Sequence, residues 1–198
     1  VPVIDGIELM PTSDELKHFG AALALFGSTP LFHMVGITPE ARTLSDVFDG
    51  PLPDAQLLDQ AAVEGFYSNY LPNDDELHVV VFAAPQLSLD EMRRLGHLLD
   101  GRRVSGKVAL LACTAPAVKE SCDRMGITAQ IENAGGTVLE GVCFYNMHAR
   151  EIGEANGWRR LMSNSAKIVN ILGGYGYEPV LSSMENCIAS AVAGRIVR

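Results

Sequence analysis

The sequence predicts an α/β protein whose largely parallel sheet is covered by helices on both faces. Segments with strand character alternate with segments of helical periodicity along most of the 198 residues, which is the pattern of a parallel sheet. The run at 78–83 contains three consecutive valines and only apolar residues after His78, as expected for a strand buried on both sides. No internal repeat or low-complexity linker interrupts this order. The length fits one large domain or two small ones.

The first part of the chain is predicted to contain two helices and one strand. Thr12 and Glu15 form a capping box in front of apolar residues that share one helical face, which predicts a helix over 13–27. A buried strand is expected at 31–35, followed by a turn. A second helical pattern runs from 54 to 70.

The second part repeats a unit of strand, short loop and helix. Ser88 and Glu91 form another capping box directly after the strand at 78–83. Ser182 and Glu185 are predicted to cap a final helix that reaches about 192. Further strands are predicted at 108–112, 137–143 and 166–172, with a helix ending near 125 and a polar stretch at 151–160.

Composition excludes several classes of partner. The formal net charge of −9 opposes attraction to phosphate backbones, so no nucleic acid is expected as a partner. The four cysteines form no CxxC pair, which favours a reducing, cytoplasmic compartment. The uncharged run at 19–39 is long enough for a membrane span, but a Gly-Ser-Thr-Pro turn at 27–30 divides it, so no membrane is expected either.

The chain is expected to belong to a larger assembly. Its mean hydropathy of +0.14 is slightly high for a free-standing chain, which indicates that another domain or subunit covers part of the surface. The first residues carry neither a signal peptide nor an initiator Met, and the opening looks like a cut inside a longer polypeptide.

The carboxyl ends of the predicted strands select the candidate site. Ligands of parallel α/β sheets bind there, where the loops into the following helices converge. The corner at 163–165 precedes the strand predicted at 166–172, so it would reach the site only if that strand ran antiparallel or the loop curled over. The loops selected by this rule are 36–38, 84–86, 113–114 and the position of Cys143.

Individual residues in these loops allow a functional and a structural interpretation. His33 is either a core histidine satisfied by a backbone carbonyl or a substrate contact. Cys143 has polar residues beyond it, as a metal ligand would, but free cysteines are commonly small buried hydrophobes. Thr38 either contacts substrate or begins a helix as its N-cap. The segment 163–167 combines hydroxyls, an amide and an ammonium that could hold a carboxylate, although such clusters are often plain turns.

Four stretches together resemble the aconitase X family. They are FHMVGITPEA (32–41), APQLSLDE (84–91), NSAK (164–167) and ENC (185–187), in the order and spacing of the C-terminal half of that family's catalytic region. The resemblance implies an aconitase-like three-layer α/β architecture for 1–198, with a sub-boundary near 145–160. It also implies that the N-terminal half and a small swivelling domain lie outside these residues.

The resemblance implies an iron-assisted hydro-lyase. The expected substrate is cis-3-hydroxy-L-proline, dehydrated to pyrroline-2-carboxylate, because no Arg or Lys phosphate clamp lies near the predicted loops. The alternative is mevalonate 5-phosphate, and a non-catalytic domain that binds a small acid or another subunit is the rival from a different class. The expected partner is the remainder of the parent polypeptide or a small swivelling subunit.

Residue roles follow from the same resemblance. Ser165 and Lys167 match catalytic positions, and Cys143 matches one ligand of an iron or iron–sulfur centre. Ala84 stands where the family has the cysteine of Gly-Cys-Pro-His, and alanine cannot bind iron. The positions implied for substrate binding are His33, Thr38, Gln86, Ser163 and Asn164.

Overall fold

The computed structural model describes residues 1–198, which divide into two compact units, 1–65 and 66–198. In the first unit, β1 (Val3–Ile4) pairs in parallel with β2 (His33–Met34). Helix α1 spans Ser13–Gly27 and begins with the predicted capping box of Thr12 and Glu15. Helix α2 (Gln60–Ser68) is shorter than the predicted 54–70, and β2 is shorter than the predicted 31–35.

The first unit has a very small core. Met34 and Ala41 are its only buried hydrophobic residues, and neither α1 nor α2 buries a side chain. Ten of the fourteen exposed large hydrophobic side chains of the whole chain lie within residues 1–65. This unit therefore leaves much of its apolar surface in contact with water.

The second unit is built on a five-stranded sheet whose strands begin at residues 137, 109, 79, 160 and 178, in their order across the sheet. In this order they are β5, β4, β3, β6 and β7, numbered along the chain. Every neighbouring pair of strands is parallel, so the predicted α/β fold class is confirmed. The strands are β3 (Val79–Leu87), β4 (Ala109–Thr114), β5 (Thr137–Glu140), β6 (Arg160–Ser163) and β7 (Glu178–Leu181).

Alternating side chains of the central strand β3 pack against helices on both faces of this sheet. Val80 and Phe82 point into the core on one face, and Val79 and Val81 point into the core on the other. The first face is covered by α3 (Leu89–Leu99), α4 (Pro116–Arg124), α5 (Ile127–Asn133) and α8 (Met184–Ala193). The second is covered by α6 (Ala149–Asn156) and α7 (Ala166–Leu172).

The strand predicted at 166–172 is wrong, because this segment is helix α7. Ile168 and Leu172 are four residues apart and both fully buried, which is the spacing of one helical face. The strand lies just before it, as β6, and runs parallel to β3. The corner at 163–165 therefore leaves a carboxyl end, so it needs neither an antiparallel strand nor a curled loop to reach the site.

Other boundaries differ more modestly from those predicted. Helix α6 covers the first part of the polar stretch at 151–160, to which the sequence analysis assigned no element. The N-cap of α8 is Ser183, whose side chain accepts from the Asn186 amide, instead of Ser182. Strand β5 ends at Glu140, before Cys143. The division between the units falls at 65–66, and strands on both sides of the sub-boundary expected near 145–160 belong to one sheet.

The order of the strands creates one switch point in the sheet. From β3 the chain adds β4 and then β5 on one side, and it returns to place β6 and β7 on the other side of β3. Loops after β3 and β6 therefore diverge to opposite faces, and the crevice expected at such a switch point would lie between them. None of the helices combines the length and the apolar character needed to cross a membrane.

Candidate functional site

The candidate site lies at the carboxyl ends of β3 and β6, on either side of the switch point. Residues 84–86 close the end of β3, and residues 163–167 connect β6 to α7. Both segments were selected from the sequence, and the structure brings them together. The loop that carries Cys143 joins them from the far side of β4.

Strand β3 leaves its ladder at Ala84. Its register with β4 shifts between Phe82 and Leu87, and Ala84 has a left-handed backbone conformation with φ of 50° before a cis peptide bond to Pro85. A positive φ is uncommon for residues other than glycine. The departure from the ladder lets the amide and carbonyl of Ala84 bind side chains of other segments.

Two serine hydroxyls join β6 to β3. The hydroxyl of Ser163 donates to the carbonyl of Val81 at 2.6 Å and accepts from the amide of Ser165 at 3.2 Å. The hydroxyl of Ser165 donates to the carbonyl of Ala84 at 2.6 Å and accepts from the amide of Ile168 at 3.3 Å, as the N-cap of α7. Both serines are fully buried. Both hydroxyls are thus already used within the protein.

The Cys143 sulfur lies in a cluster of backbone donors. The N–H groups of Tyr145, Ala84 and Phe144 are within hydrogen-bonding reach of it, and the Lys167 ammonium is close enough to act on its charge. Burial raises the pKa of this thiol, while those donors and Lys167 lower it. Burial is the largest of these causes, so the pKa of the Cys143 thiol lies above its ordinary value.

The other three thiols are inaccessible. Cys113, Cys122 and Cys187 are buried, whereas Cys143 is partly exposed. Burial, with a smaller contribution from Cys143, raises the pKa of Cys113 to about 12. Burial also raises the pKa of Cys187. These three therefore behave as small hydrophobic residues of the core.

Gln86 and Lys167 are the other two polar side chains near Cys143. The side-chain amide of Gln86 donates to the carbonyl of Val142 at 2.9 Å and so fixes the loop in front of Cys143. Lys167 lies in the first turn of α7 and is partly buried, as is Asn164. Lys167 is the only cationic residue among 84–86, 143–146 and 163–167.

His33 and Thr38 belong to the first unit. The Nδ1 atom of His33 lies 2.7 Å from the Oε1 atom of Glu40. The hydroxyl of Thr38 accepts from the amide of Met34 at 3.1 Å and lies 3.2 Å from its carbonyl, so Thr38 closes a turn and caps no helix. The sequence analysis did not identify Glu40 as the partner of His33. An acidic residue in the turn after the strand that carries the histidine could have indicated this pair.

The residues present do not fit a three-thiolate cluster. The chain contains no group of three or more His, Cys, Asp or Glu side chains that could hold a metal ion. Cys143 is the single accessible thiol at the switch point, and the neighbouring position 84 carries a methyl group.

The fold is that of an α/β protein with a five-stranded parallel sheet, and the candidate site lies at the switch point of that sheet. The family model for the aconitase X third domain matches residues 77–193, and that for the aconitase X second domain matches residues 1–66. The chain therefore belongs to the aconitase X family, as the resemblance implied.

Several characterised proteins are similar along nearly the whole chain. The cis-3-hydroxy-L-proline dehydratase of Hypocrea jecorina is 30% identical over 200 residues, which cover 98% of this chain and 33% of that protein. The enzyme of the same name from Pseudomonas aeruginosa is 30% identical over 199 residues, covering 98% and 34%. The phosphomevalonate dehydratase large subunit of Methanothermobacter thermautotrophicus is 31% identical over 179 residues, covering 90% and 43%. The chain thus spans about a third to under half of these relatives.

A solved structure shows the same fold. The holo-form of aconitase X from Thermococcus kodakaraensis superposes with a TM-score of 0.77 and is 24% identical in sequence. The match covers 96% of this chain and 47% of that one. At this level of identity the likeness concerns the fold.

Proposed function

We propose that this chain is the part of an aconitase X type hydro-lyase that holds the carboxylate of a small hydroxy acid during dehydration. The observation that carries the proposal is the position of Lys167, the one cationic side chain at the switch point, beside the amide donors around Cys143. Family membership and the dehydratase names of the relatives support it.

Lys167 is the catalytic residue of the proposal. Removal of a proton next to a carboxylate builds negative charge on that group in the transition state. A fixed ammonium stabilises this charge more strongly than it stabilises the ground state, because it needs no reorganisation. Asn164, at the same corner, supplies an amide donor to the same carboxylate.

The hydroxyls of Ser165 and Ser163 can contact the substrate only if they give up their present hydrogen bonds. A direct contact with substrate requires each hydroxyl to exchange its bond to a β3 carbonyl for one to the substrate. Without that exchange, the serines hold the Lys167 turn against β3. Gln86 would have to contact the substrate while its side-chain amide keeps its hydrogen bond to the carbonyl of Val142.

Cys143 is the one residue of this chain that we propose as an iron ligand. It is the only thiol that is partly exposed, and the other three are buried in the core. Replacing Cys143 with Ala in the intact enzyme should remove bound iron, measured by elemental analysis after anaerobic purification. The matched control is Cys122→Ala, which should keep it. Full iron content in the Cys143 variant would contradict the assignment.

The proposed substrate is cis-3-hydroxy-L-proline. A phosphorylated substrate would require further cationic groups, since phosphate recognition commonly uses several Arg or Lys contacts. The crevice described here offers Lys167 alone. Mevalonate 5-phosphate is the second candidate, supported by the phosphomevalonate dehydratase subunits among the relatives.

The rival function is a non-catalytic domain that binds a small acid or another subunit. Ala84 favours it, because a position beside Cys143 lacks a thiol. The position of Lys167 near Cys143 favours the enzyme, because a cation there can stabilise the charge that develops on the substrate carboxylate.

The partner surface proposed is formed by the exposed apolar side chains of residues 1–65. Contiguous exposed apolar side chains usually mark an interaction site. The relatives are two to three times longer than the region they share with this chain, so the remainder of the parent polypeptide or a small swivelling subunit is the proposed cover.

The test compares Lys167→Met with Lys107→Met in the intact enzyme, using both substrates. Lys107 is exposed and lies outside the crevice, so its variant should retain full turnover. Loss of a preorganised charge should lower turnover by Lys167→Met about 100-fold or more. A change below about threefold, with the far-ultraviolet spectrum intact, would eliminate the catalytic role.

A further inference from the structure

Strand β3 makes an excursion from the sheet near its carboxyl end. It leaves its ladder with β4 after Phe82 and pairs with it again at Leu87, which lies opposite Thr114. Four residues of β3, 83–86, thus correspond to one residue of β4, Cys113. Extra residues in one strand bend that strand and re-aim its side chains. The point at which the 83–86 excursion rejoins the sheet therefore decides how its residues face the candidate site.

The start of the 83–86 excursion is held from the β6 side. The hydroxyl of Ser163 donates to the carbonyl of Val81 at 2.6 Å. The hydroxyl of Ser165 donates to the carbonyl of Ala84 at 2.6 Å. Both bonds come before the point where the strand rejoins the sheet, and a different side chain holds that point.

The hydroxyl of Thr114 holds the end of the excursion. It donates to the carbonyl of Leu87 at 2.7 Å, and Thr114 is fully buried. Thr114 is itself fixed by β5, because it pairs with Glu140 and its carbonyl accepts from the amide of Gly141 at 2.9 Å. Leu87 directly precedes Ser88, the N-cap of α3. One hydroxyl of an interior strand thus joins the end of the excursion and the start of a helix to the sheet.

We propose that Thr114 is a positioning residue, whose hydroxyl fixes the return of the 83–86 excursion to the sheet. A fixed excursion keeps the Ala84 amide at the sulfur of Cys143 and the Gln86 side chain on the loop in front of it. The consequence for turnover rests on the function proposed above, whereas the consequence for the backbone does not. The competing interpretation is a buried hydroxyl that merely satisfies its own polar group and supports the whole sheet equally.

The first experiment replaces Thr114 with Val, which keeps the branched shape and the strand preference and removes the hydroxyl. Deuterium exchange of the intact enzyme, resolved by peptide mass spectrometry, reports local opening of the backbone. Loss of the hydrogen bond should make the amides of 84–87 exchange about tenfold faster in Thr114→Val. The amides of 79–82 should keep their native rates. Equal acceleration over 79–87, or none at 84–87, would overturn the proposal.

Two further variants separate the hydroxyl from general effects of substitution. Thr114→Ser retains the hydroxyl, so the amides of 84–87 should exchange at their native rates. Faster exchange there in Thr114→Ser would overturn the proposal, even if Thr114→Val did not fold. The matched control is Ser190→Ala, which removes another fully buried hydroxyl, bonded to the amide of Val197 at 2.9 Å. It should leave exchange at 84–87 unchanged.

Turnover gives the second measurement. With cis-3-hydroxy-L-proline, kcat of the intact Thr114→Val enzyme should fall roughly tenfold or more, because small displacements of an active-site segment lower the rate strongly. Thr114→Ser should restore most of the loss. A native kcat in Thr114→Val would overturn the consequence for turnover. If the native enzyme turns over neither substrate while faster exchange is confined to 84–87, the proposed function fails and the positioning role stands.

Discussion

The hydroxyl of Ser165 makes two hydrogen bonds at once. It caps α7 by accepting from Ile168 and holds the end of β3 by donating to Ala84. Loss of an N-cap costs about 1 kcal/mol, and a buried carbonyl left without its donor costs about 1–3 kcal/mol. One hydroxyl therefore stabilises both the helix and the crevice.

Ser165→Ala should lower the free energy of unfolding by roughly 2–4 kcal/mol, the sum of these two losses. The matched control is Ser183→Ala, which removes an N-cap hydroxyl bonded to the Asn186 amide and should cost only about 1 kcal/mol. Urea unfolding followed by circular dichroism measures both. Equal losses in the two variants would show that the bond to Ala84 contributes nothing.

The thiols differ in exposure, which predicts an order of chemical modification. A neutral alkylating reagent should modify Cys143 first in the folded protein, because the other three thiols are buried. Cys113, Cys122 and Cys187 should react only after denaturation. Peptide mass spectrometry at increasing labelling times would reveal the order. Early modification of Cys113 would mean that the core around β4 opens readily.

Among the secondary-structure elements, α7 matters most for the location of the site, because the site depends on whether this segment is a helix or a strand. Asn170 is exposed within it, so substitutions there report on backbone preference with little effect on packing. In a helix, Ala at 170 should be more stable than Val, and Gly should be about 1 kcal/mol less stable than Ala. A strand would favour Val over Ala. Thermal unfolding of the three variants distinguishes the two orders.

Local signals made part of the fold predictable. The capping boxes of Thr12 with Glu15 and of Ser88 with Glu91 lie within four residues, so the sequence alone located the starts of α1 and α3. The segment 166–172 is short, apolar and rich in β-branched residues, which periodicity cannot assign to a helix or a strand. Packing against β3, which lies about 80 residues earlier in the sequence, makes this segment a helix.

The site was predictable only as a set of loops. The rule on carboxyl ends selected 84–86 and Cys143 correctly as neighbours at one edge of the sheet. The bond from Ser165 to Ala84 joins residues 81 positions apart, and the left-handed backbone of Ala84 has no local signal in a residue that normally avoids it. Long-range contacts and backbone conformation therefore required the structure.

At the scale of the whole molecule, the two units differ in what they bury. Burial of a large apolar side chain stabilises by about 1.5–3 kcal/mol, and ordering one residue costs about 1–2 kcal/mol. The first unit has only two buried hydrophobic residues, Met34 and Ala41, so it gains little of this stabilisation. The second unit has two large core clusters, one on each face of its sheet.

Expressed separately, residues 66–198 should unfold cooperatively in urea, and residues 1–65 should show no cooperative transition. Far-ultraviolet circular dichroism across a urea series measures both, since a two-state transition requires a packed core. A sigmoidal transition by the 1–65 piece would mean that its partly exposed side chains pack far better than their burial indicates.

The strand order also makes the sheet divisible. Strands β3, β4 and β5 come from residues before 141 and β6 and β7 from residues after 159, so one covalent connection, running through the exposed end of α6 at 154–157, spans the seam between β3 and β6. A protease nick there would break no strand pairing and would leave the Ser163 and Ser165 clasps intact. The two fragments should then copurify as a native-like heterodimer, so the crevice could be assembled from two separately made polypeptides.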